Sequence, residues 1–153
     1  FDFASWKISS FFGCSVVRQK ERLLVRLDDA AKRNWCGFSL QALEEGGAIG
    51  LDGADPAFSC LRFGINGGST GGQRLQIAVS GEGGGSKTVW IADHLAARKI
   101  DGDPESVQTV RIPLRNLFPE KLPKTIGRIL IQFIDTPPAE GVEIDSLTLE
   151  VQK

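Results

Sequence analysis

The chain has 153 residues, of which 41% are hydrophobic, and this size and composition are typical of one domain with its own core. Its 18 basic and 19 acidic side chains leave a formal net charge of -1, without the basic block that attracts nucleic acid or anionic lipid. No apolar run approaches the roughly 20 residues that span a bilayer. We therefore predict a single domain, residues 1–153, with neither nucleic acid nor a membrane as partner.

Short apolar segments bounded by Gly, Pro, Asn, Asp and Ser recur along the chain, and helical periodicity is scarce. This pattern predicts an all-β fold, a sandwich of two antiparallel sheets. In chain order, the predicted strand segments are FDFASWKIS, SVVRQKERLLVRLD (a hairpin that turns near Gln19 to Glu21), CGFSLQAL, CLRFGING, RLQIAVS, KTVWIA, QTVRIPL, RILIQFID and VEIDSLTLEVQ. Two short helical turns are predicted, one at 92–99 and one in LRNLFPE.

The segment GEGGGSKT, from Gly81 to Thr88, resembles the phosphate-binding pattern G-x-x-x-x-G-K-[ST], but Ser86 replaces the second glycine. A phosphate loop also requires parallel strands joined by crossover helices, and the chain supplies at most one helix candidate. We therefore interpret this segment as a hairpin loop between antiparallel strands, with an engineered linker as the alternative.

The three cysteines, Cys14, Cys36 and Cys60, have neither the short paired spacing of a zinc site nor an even count. At least one thiol is therefore free or paired outside the chain. Small apolar core side chains are the simplest role for most of them.

Five motifs in fixed order resemble bacterial β-sandwich modules that are attached to secreted glycoside hydrolases. The motifs are NWCGFSL, CLRFGINGGSTGGQRLQIAVSG, VRIPLRNL, RILIQFID and VEIDSLTLE, and together they span most of the chain. The resemblance implies a jelly-roll topology of the galactose-binding-like kind. It also implies a non-catalytic carbohydrate-binding module, extracellular or in the cell envelope, whose partners are a polysaccharide and the catalytic domain of a larger secreted protein.

Sugar recognition by such a module needs aromatic faces for pyranose rings and polar groups for the hydroxyls. Among the three tryptophans, Trp35 and Trp90 are the predicted platforms, with the core as the alternative for Trp35, whereas Trp6 is assigned to the core or an edge. The predicted polar helpers are Gln73, Arg74, Gln76, Gln132 and Asp135. Because Gln76 and Gln132 interrupt apolar runs, each of them faces either a ligand or water.

The resemblance further implies one structural calcium ion where the first and last strands meet, with Asp2 and Asp145 as matching ligands. It places the opening FDFASW near the closing EIDSL. The alternative is that the two carboxylates belong to a strand end and a turn.

Two other functions stay open. A protein-docking or structural domain would carry a contiguous apolar surface patch. An enzyme would have to use His94, the only histidine, or a pair of carboxylates such as those in turns near Asp28 or Asp52.

Overall fold

The computed structural model describes residues 3, 5–28, 36–43, 47–83, 86–135 and 141–153. The strands in chain order are β1 (Lys7–Phe11), β2 (Cys14–Gln19), β3 (Arg22–Leu27), β4 (Gly37–Gln41), β5 (Ile49–Gly50), β6 (Cys60–Asn66), β7 (Leu75–Ser80), β8 (Val89–Trp90), β9 (Gln108–Pro113), β10 (Thr125–Ile126), β11 (Arg128–Phe133) and β12 (Val142–Glu150). A 3-10 helix covers Ile91–His94, and one α-helical turn, α1, covers Leu114–Leu117.

Two five-stranded sheets form the body of the molecule. Sheet I has the strand order β1-β4-β11-β7-β8, sheet II has the order β2-β3-β12-β6-β9, and β5 and β10 form a separate pair. Every strand pairing in the described residues is antiparallel. The predicted all-β fold with two antiparallel sheets is therefore confirmed, and the jelly-roll connectivity stays a prediction.

The core lies between the two sheets and follows from the alternation of apolar and polar residues along the strands. Its largest side chains, Phe38, Phe63 and Phe133, are at most 1% exposed. Full burial of each such side chain stabilises the fold by about 1.5–3 kcal/mol. Trp6 also belongs to this core, as predicted, and its ring meets that of Phe3 edge to face at 4.8 Å.

The predicted hairpin is present, because β2 and β3 pair directly and turn at Lys20, whose φ is 55°. Both short helical turns are also present, although the first covers Ile91–His94 and does not extend to residue 99 as predicted. The sequence did not predict β5 and β10, since strands of two residues are too short to show periodicity.

Of the predicted opening strand FDFASWKIS, the described residues form a strand only from Lys7 onward. Strand β1 pairs with β4 in sheet I, whereas β12 belongs to sheet II, so the first and the last of the described strands do not pair. The carbonyl groups of Phe3 and Trp6 instead accept hydrogen bonds from Arg18 on β2.

The glycine-rich segment 81–88 connects β7 to β8, which pair antiparallel, so the hairpin interpretation is confirmed. Gly81 is required there for a steric reason, because a Cβ atom at this position would overlap the Thr125 carbonyl of β10. Over the described ranges, no helix is long and apolar enough to cross a membrane.

Candidate functional site

The outward surface of sheet I carries one row of residues that crosses all five strands. The register pairs Phe11 with Gly37, Gly37 with Gln132, Gln132 with Gln76, and Gln76 with Trp90. Side chains alternate between the two faces of a strand. The sequence neighbours of this row, among them Phe38 and Ile131, are fully buried, so the row itself faces away from the core. We call the row the platform; its members are Phe11, Gly37, Gln132, Gln76 and Trp90.

Gly37 has no side chain, so the surface of the platform is flat next to Phe11. A Cβ atom at this glycine would lie 3.1 Å from Cζ of the Phe11 ring, and it would overlap the Ile131 carbonyl oxygen. The tip of the Phe11 ring therefore occupies the space that a side chain at position 37 would fill. The Phe11 ring thus lies over position 37 of the sheet, on the side of the two glutamines.

The two glutamines in the row sit side by side on the neighbouring strands β11 and β7. Gln76 and Gln132 are each half-buried, and within the described part of the chain neither side chain hydrogen bonds to another protein group. Each amide offers two N–H donors and one carbonyl acceptor. Their placement between two aromatic rings suits a ligand with an apolar face and hydroxyl groups around its rim.

Trp90 closes the opposite end of the platform. The Cζ atom of Arg74 lies 4.8 Å from the centroid of the half-buried indole ring, within cation–π range. An Nη1 atom of Arg74 also lies 3.6 Å from a carboxylate oxygen of Asp135. Both charged side chains are more than half exposed, so this ion pair orients the guanidinium more than it stabilises the fold.

Beside Trp90, an open cleft of about 340 Å³ extends the site away from the sheet. Its lining includes Arg74, Trp90 and the ion pair between Asp93 and Arg98, whose charged atoms are 3.9 Å apart. The adjacent His94 is half-buried, and this burial lowers the pKa of its imidazole despite the opposing charge of Asp93. Its imidazole is therefore neutral at pH 7, which makes it a weak partner for an anion.

A second outward row runs beside the platform and carries three small side chains and one leucine. Ser9 pairs with Ser39, Ser39 with Leu130, and Leu130 with Ala78. The Ser9, Ser39 and Ala78 side chains are short, so Leu130 is the one larger side chain of this row beside the aromatic and amide groups of the platform.

The fold thus brings four of the predicted binding residues together on one face: Arg74, Gln76, Trp90 and Gln132. Asp135 is connected to this group by its ion pair with Arg74. Gln73 is not on this face. It is 4% exposed, and its Nε2 donates to the carbonyls of Gly67 and Gly141 at 2.7 and 3.2 Å. Its amide therefore ties the β6–β7 loop to the start of β12, and a surface ligand cannot reach it.

Two predicted residues, Trp35 and Asp2, lie outside the described residues. The other predicted calcium ligand, Asp145, faces Nε of Arg22 at 3.9 Å and accepts a hydrogen bond from the Ser146 hydroxyl at 3.0 Å. A neighbouring guanidinium repels a cation, so the surroundings of Asp145 do not fit a calcium site. Across the described ranges, no three His, Cys, Asp or Glu side chains converge as metal ligands. The calcium ion stays a prediction, and no step of binding depends on it.

Sequence reasoning missed Phe11 and Gly37. The stretch SFFGC shows two adjacent phenylalanines, but only the pairing of β1 with β4 reveals that Phe11 joins the platform while Phe12 lies in the turn after β1. Strand register depends on contacts between distant segments, which a local pattern does not encode.

Comparison with known proteins gives a fold but no family. A scan against protein-family models found no match, and no curated protein matches the chain. A solved structure described as the crystal structure of a family 30 carbohydrate-binding module matches with a TM-score of 0.52 and 13% identity. The match covers 95% of this chain and 99% of that chain. At this identity the likeness shows a shared fold, and it confirms the predicted module-like β-sandwich.

Proposed function

We propose that this protein is a non-catalytic carbohydrate-binding module that holds a polysaccharide chain across the platform on sheet I. One observation carries the proposal: two amides that have no hydrogen-bond partner among the described residues lie between two aromatic residues in a single cross-strand row. Sequence motifs and a shared fold both resemble such modules and support the same function.

Each part of the platform has a distinct role in this proposal. The rings of Trp90 and Phe11 stack on the apolar faces of sugar rings. The amides of Gln76 and Gln132 exchange hydrogen bonds with sugar hydroxyls, replacing water on groups that are already half desolvated. Arg74, held over the indole by Asp135, supplies further donors at the Trp90 end.

The length of the platform predicts how affinity grows with the length of the glycan. The row crosses four inter-strand steps of about 4.8 Å, so its span is about 19 Å, enough for several sugar rings in line. We expect a glycan array to identify the polysaccharide class, and titration calorimetry with oligosaccharides of that class to show affinity rising with each added sugar until the row is filled. The array is run with and without calcium, which tests the predicted ion at the same time.

Equal affinity for a single sugar and for a long oligosaccharide would contradict binding along the row. If the folded protein bound no glycan in either condition, the proposal would fail, and a protein-docking domain would become the better explanation. Release of reducing ends from a bound polysaccharide would contradict the non-catalytic role.

The ion pair at the Trp90 end gives a second prediction. Asp135→Asn removes the charge but keeps a residue that tolerates the φ of 51° at this position. Because the pair is exposed, we expect a melting temperature within about 2 °C of the parent protein. We expect glycan affinity to fall about fivefold, since a charged hydrogen-bond partner is exchanged for a neutral one.

Calorimetry and thermal melting of the same sample check both parts of this prediction. Glu82→Gln is a suitable control, because it also removes one exposed carboxylate but lies in the β7–β8 hairpin loop. Equal affinities for the Asp135→Asn variant and the parent protein would remove this ion pair from the site.

The wider role belongs to the same proposal. We place the domain in a larger secreted bacterial protein, outside the cell or in its envelope, where it directs a catalytic domain to its polysaccharide. The motif resemblance supports this placement. Its test is whether the complete parent protein loses polysaccharide retention, but keeps turnover on soluble substrate, when this domain is deleted.

A further inference from the structure

The three cysteines occupy two different environments. All three are thiols in the structure, and all three are buried. Cys14 and Cys36 belong to the core cluster between the sheets, and Cys60 does not. The Cys60 sulfur instead contacts Glu150 and Arg111, each at 3.3 Å, and both of these residues belong to sheet II.

The topology brings Cys14 and Cys36 to the same corner of the sandwich. The chain leaves sheet I at Phe11, turns through Phe12 and Gly13, which both have positive φ, and enters sheet II at Cys14. Phe11 pairs with Gly37, so Cys36 lies at the same level of sheet I as this turn. Cys14 begins β2, an edge strand of sheet II, and Cys36 directly precedes β4, which neighbours the edge strand β1 in sheet I.

Both side chains point into the space between the sheets. Cys14 alternates with the exposed Ser15 and is 7% exposed, and Cys36 lies two residues before the core residue Phe38 and is 1% exposed. Packed sheets are about 10 Å apart at their centres, too far for a disulfide, which needs Cα atoms about 4.4–6.8 Å apart. At this corner the gap is narrower, because β2 and β4 approach to within 8 Å between several of their Cα atoms.

We infer that Cys14 and Cys36 form a disulfide bond that links the two sheets when the protein folds in an oxidising environment. The two thiols lose two protons and two electrons as the Sγ–Sγ bond forms. Oxidised glutathione, or another small disulfide, takes up the electrons by thiol–disulfide exchange and leaves as two thiols. Cys60 stays reduced, held beside Glu150 on sheet II.

The burial of Cys14 also determines when the disulfide bond can form. Desolvation, with smaller contributions from Cys36 and Asp28, raises the pKa of Cys14 to about 12. Because only a thiolate attacks a disulfide, the buried Cys14 reacts slowly in the folded protein. The bond should therefore form during folding, before the corner closes.

Oxidative refolding tests the inference without any substitution. The chain is denatured, reduced, and refolded with and without a mixture of reduced and oxidised glutathione. We expect the oxidised product to be lighter by about 2 Da, and its non-reduced peptide map to join Cys14 to Cys36. We expect its melting temperature to rise by about 5–10 °C over the reduced product.

Cys60→Ser is the matched control and should retain both the mass change and the stabilisation. Cys14→Ser and Cys36→Ser should each lose both. If all three thiols of the oxidatively refolded parent protein still react with an alkylating agent after denaturation, the inference is overturned. A map that joins Cys60 to either other cysteine would overturn it as well.

Discussion

Trp90→Ala should weaken glycan binding by about 30-fold or more and leave the fold intact. Truncation of a tryptophan that anchors an interface typically costs 2 kcal/mol or more, and each 1.4 kcal/mol is a factor of ten in affinity. The loss should be large here because the indole is both a stacking surface and the support for the Arg74 guanidinium. The fold should survive because Trp90 is half-buried, at the end of the two-residue edge strand β8.

Titration calorimetry with the longest soluble oligosaccharide, together with circular dichroism, separates the two effects. Trp90→Phe should retain part of the affinity, since a smaller ring still stacks. Val17→Ala truncates an exposed residue on sheet II and should change nothing. Full affinity in a folded Trp90→Ala variant would show that the sugar binds elsewhere, and the platform would lose its function.

Gly37→Ala is the second large effect that we expect, and it acts on stability first. The added methyl group would overlap the Ile131 carbonyl oxygen and approach the Gln132 Cα atom at 3.0 Å. Both obstacles are backbone atoms of the neighbouring strand, so they cannot move as the end of a flexible side chain would. We expect a loss of about 3 kcal/mol in the free energy of unfolding. This corresponds to a fall of about 6–12 °C in melting temperature.

Thermal and denaturant unfolding measure the change. Gly127→Ala is the matched control, because a Cβ atom there has no neighbour within 4 Å and the glycine does not have positive φ. The control should melt within about 2 °C of the parent protein, as unhindered glycine-to-alanine changes are small. Equal melting of both variants would contradict the close contact between β4 and β11 at Gly37, next to the Phe11 end of the platform.

Glycan binding in Gly37→Ala adds a second readout under conditions where the variant is folded. The methyl group enters the space that the tip of the Phe11 ring occupies, so the ring must move. Affinity should therefore fall as well, although position 37 contributes no hydrogen-bonding group of its own.

The strand pattern of this chain could be predicted because alternation of apolar and polar residues is a local signal. LLVRLD and EIDSLTLEV show it directly, and both became strands in the structure, β3 and β12. The hairpin around Lys20 was also predictable, since two apolar runs flank a short polar turn. These features depend on neighbours in sequence, and so does the assignment of Gln76 and Gln132 to one side of their strands.

The candidate site was predicted only in part. Arg74, Gln76 and Gln132 were named from residue type and alternation, and Trp90 from residue type and the resemblance to carbohydrate-binding modules. The pairing of β11, β7 and β8 brings them together. Gln73 was named for the same reason, but it precedes its strand and points inward, where two backbone carbonyls accept from its amide. Nothing in the sequence NGGSTGGQ indicates that the Gln73 side chain points inward.

By itself, the sequence determined the fold class, the positions of the longer strands and the polar side chains that interrupt them, because each of these follows from composition and short-range periodicity. Only the tertiary structure decided which strands are neighbours. That choice placed Phe11 and Trp90 at opposite ends of one row, and it brought Cys14 and Cys36 to one corner. The physical reason is that sheet order and register are fixed by packing between segments that are far apart in the chain. These segments form one close-packed core together, so no short stretch of sequence specifies the arrangement.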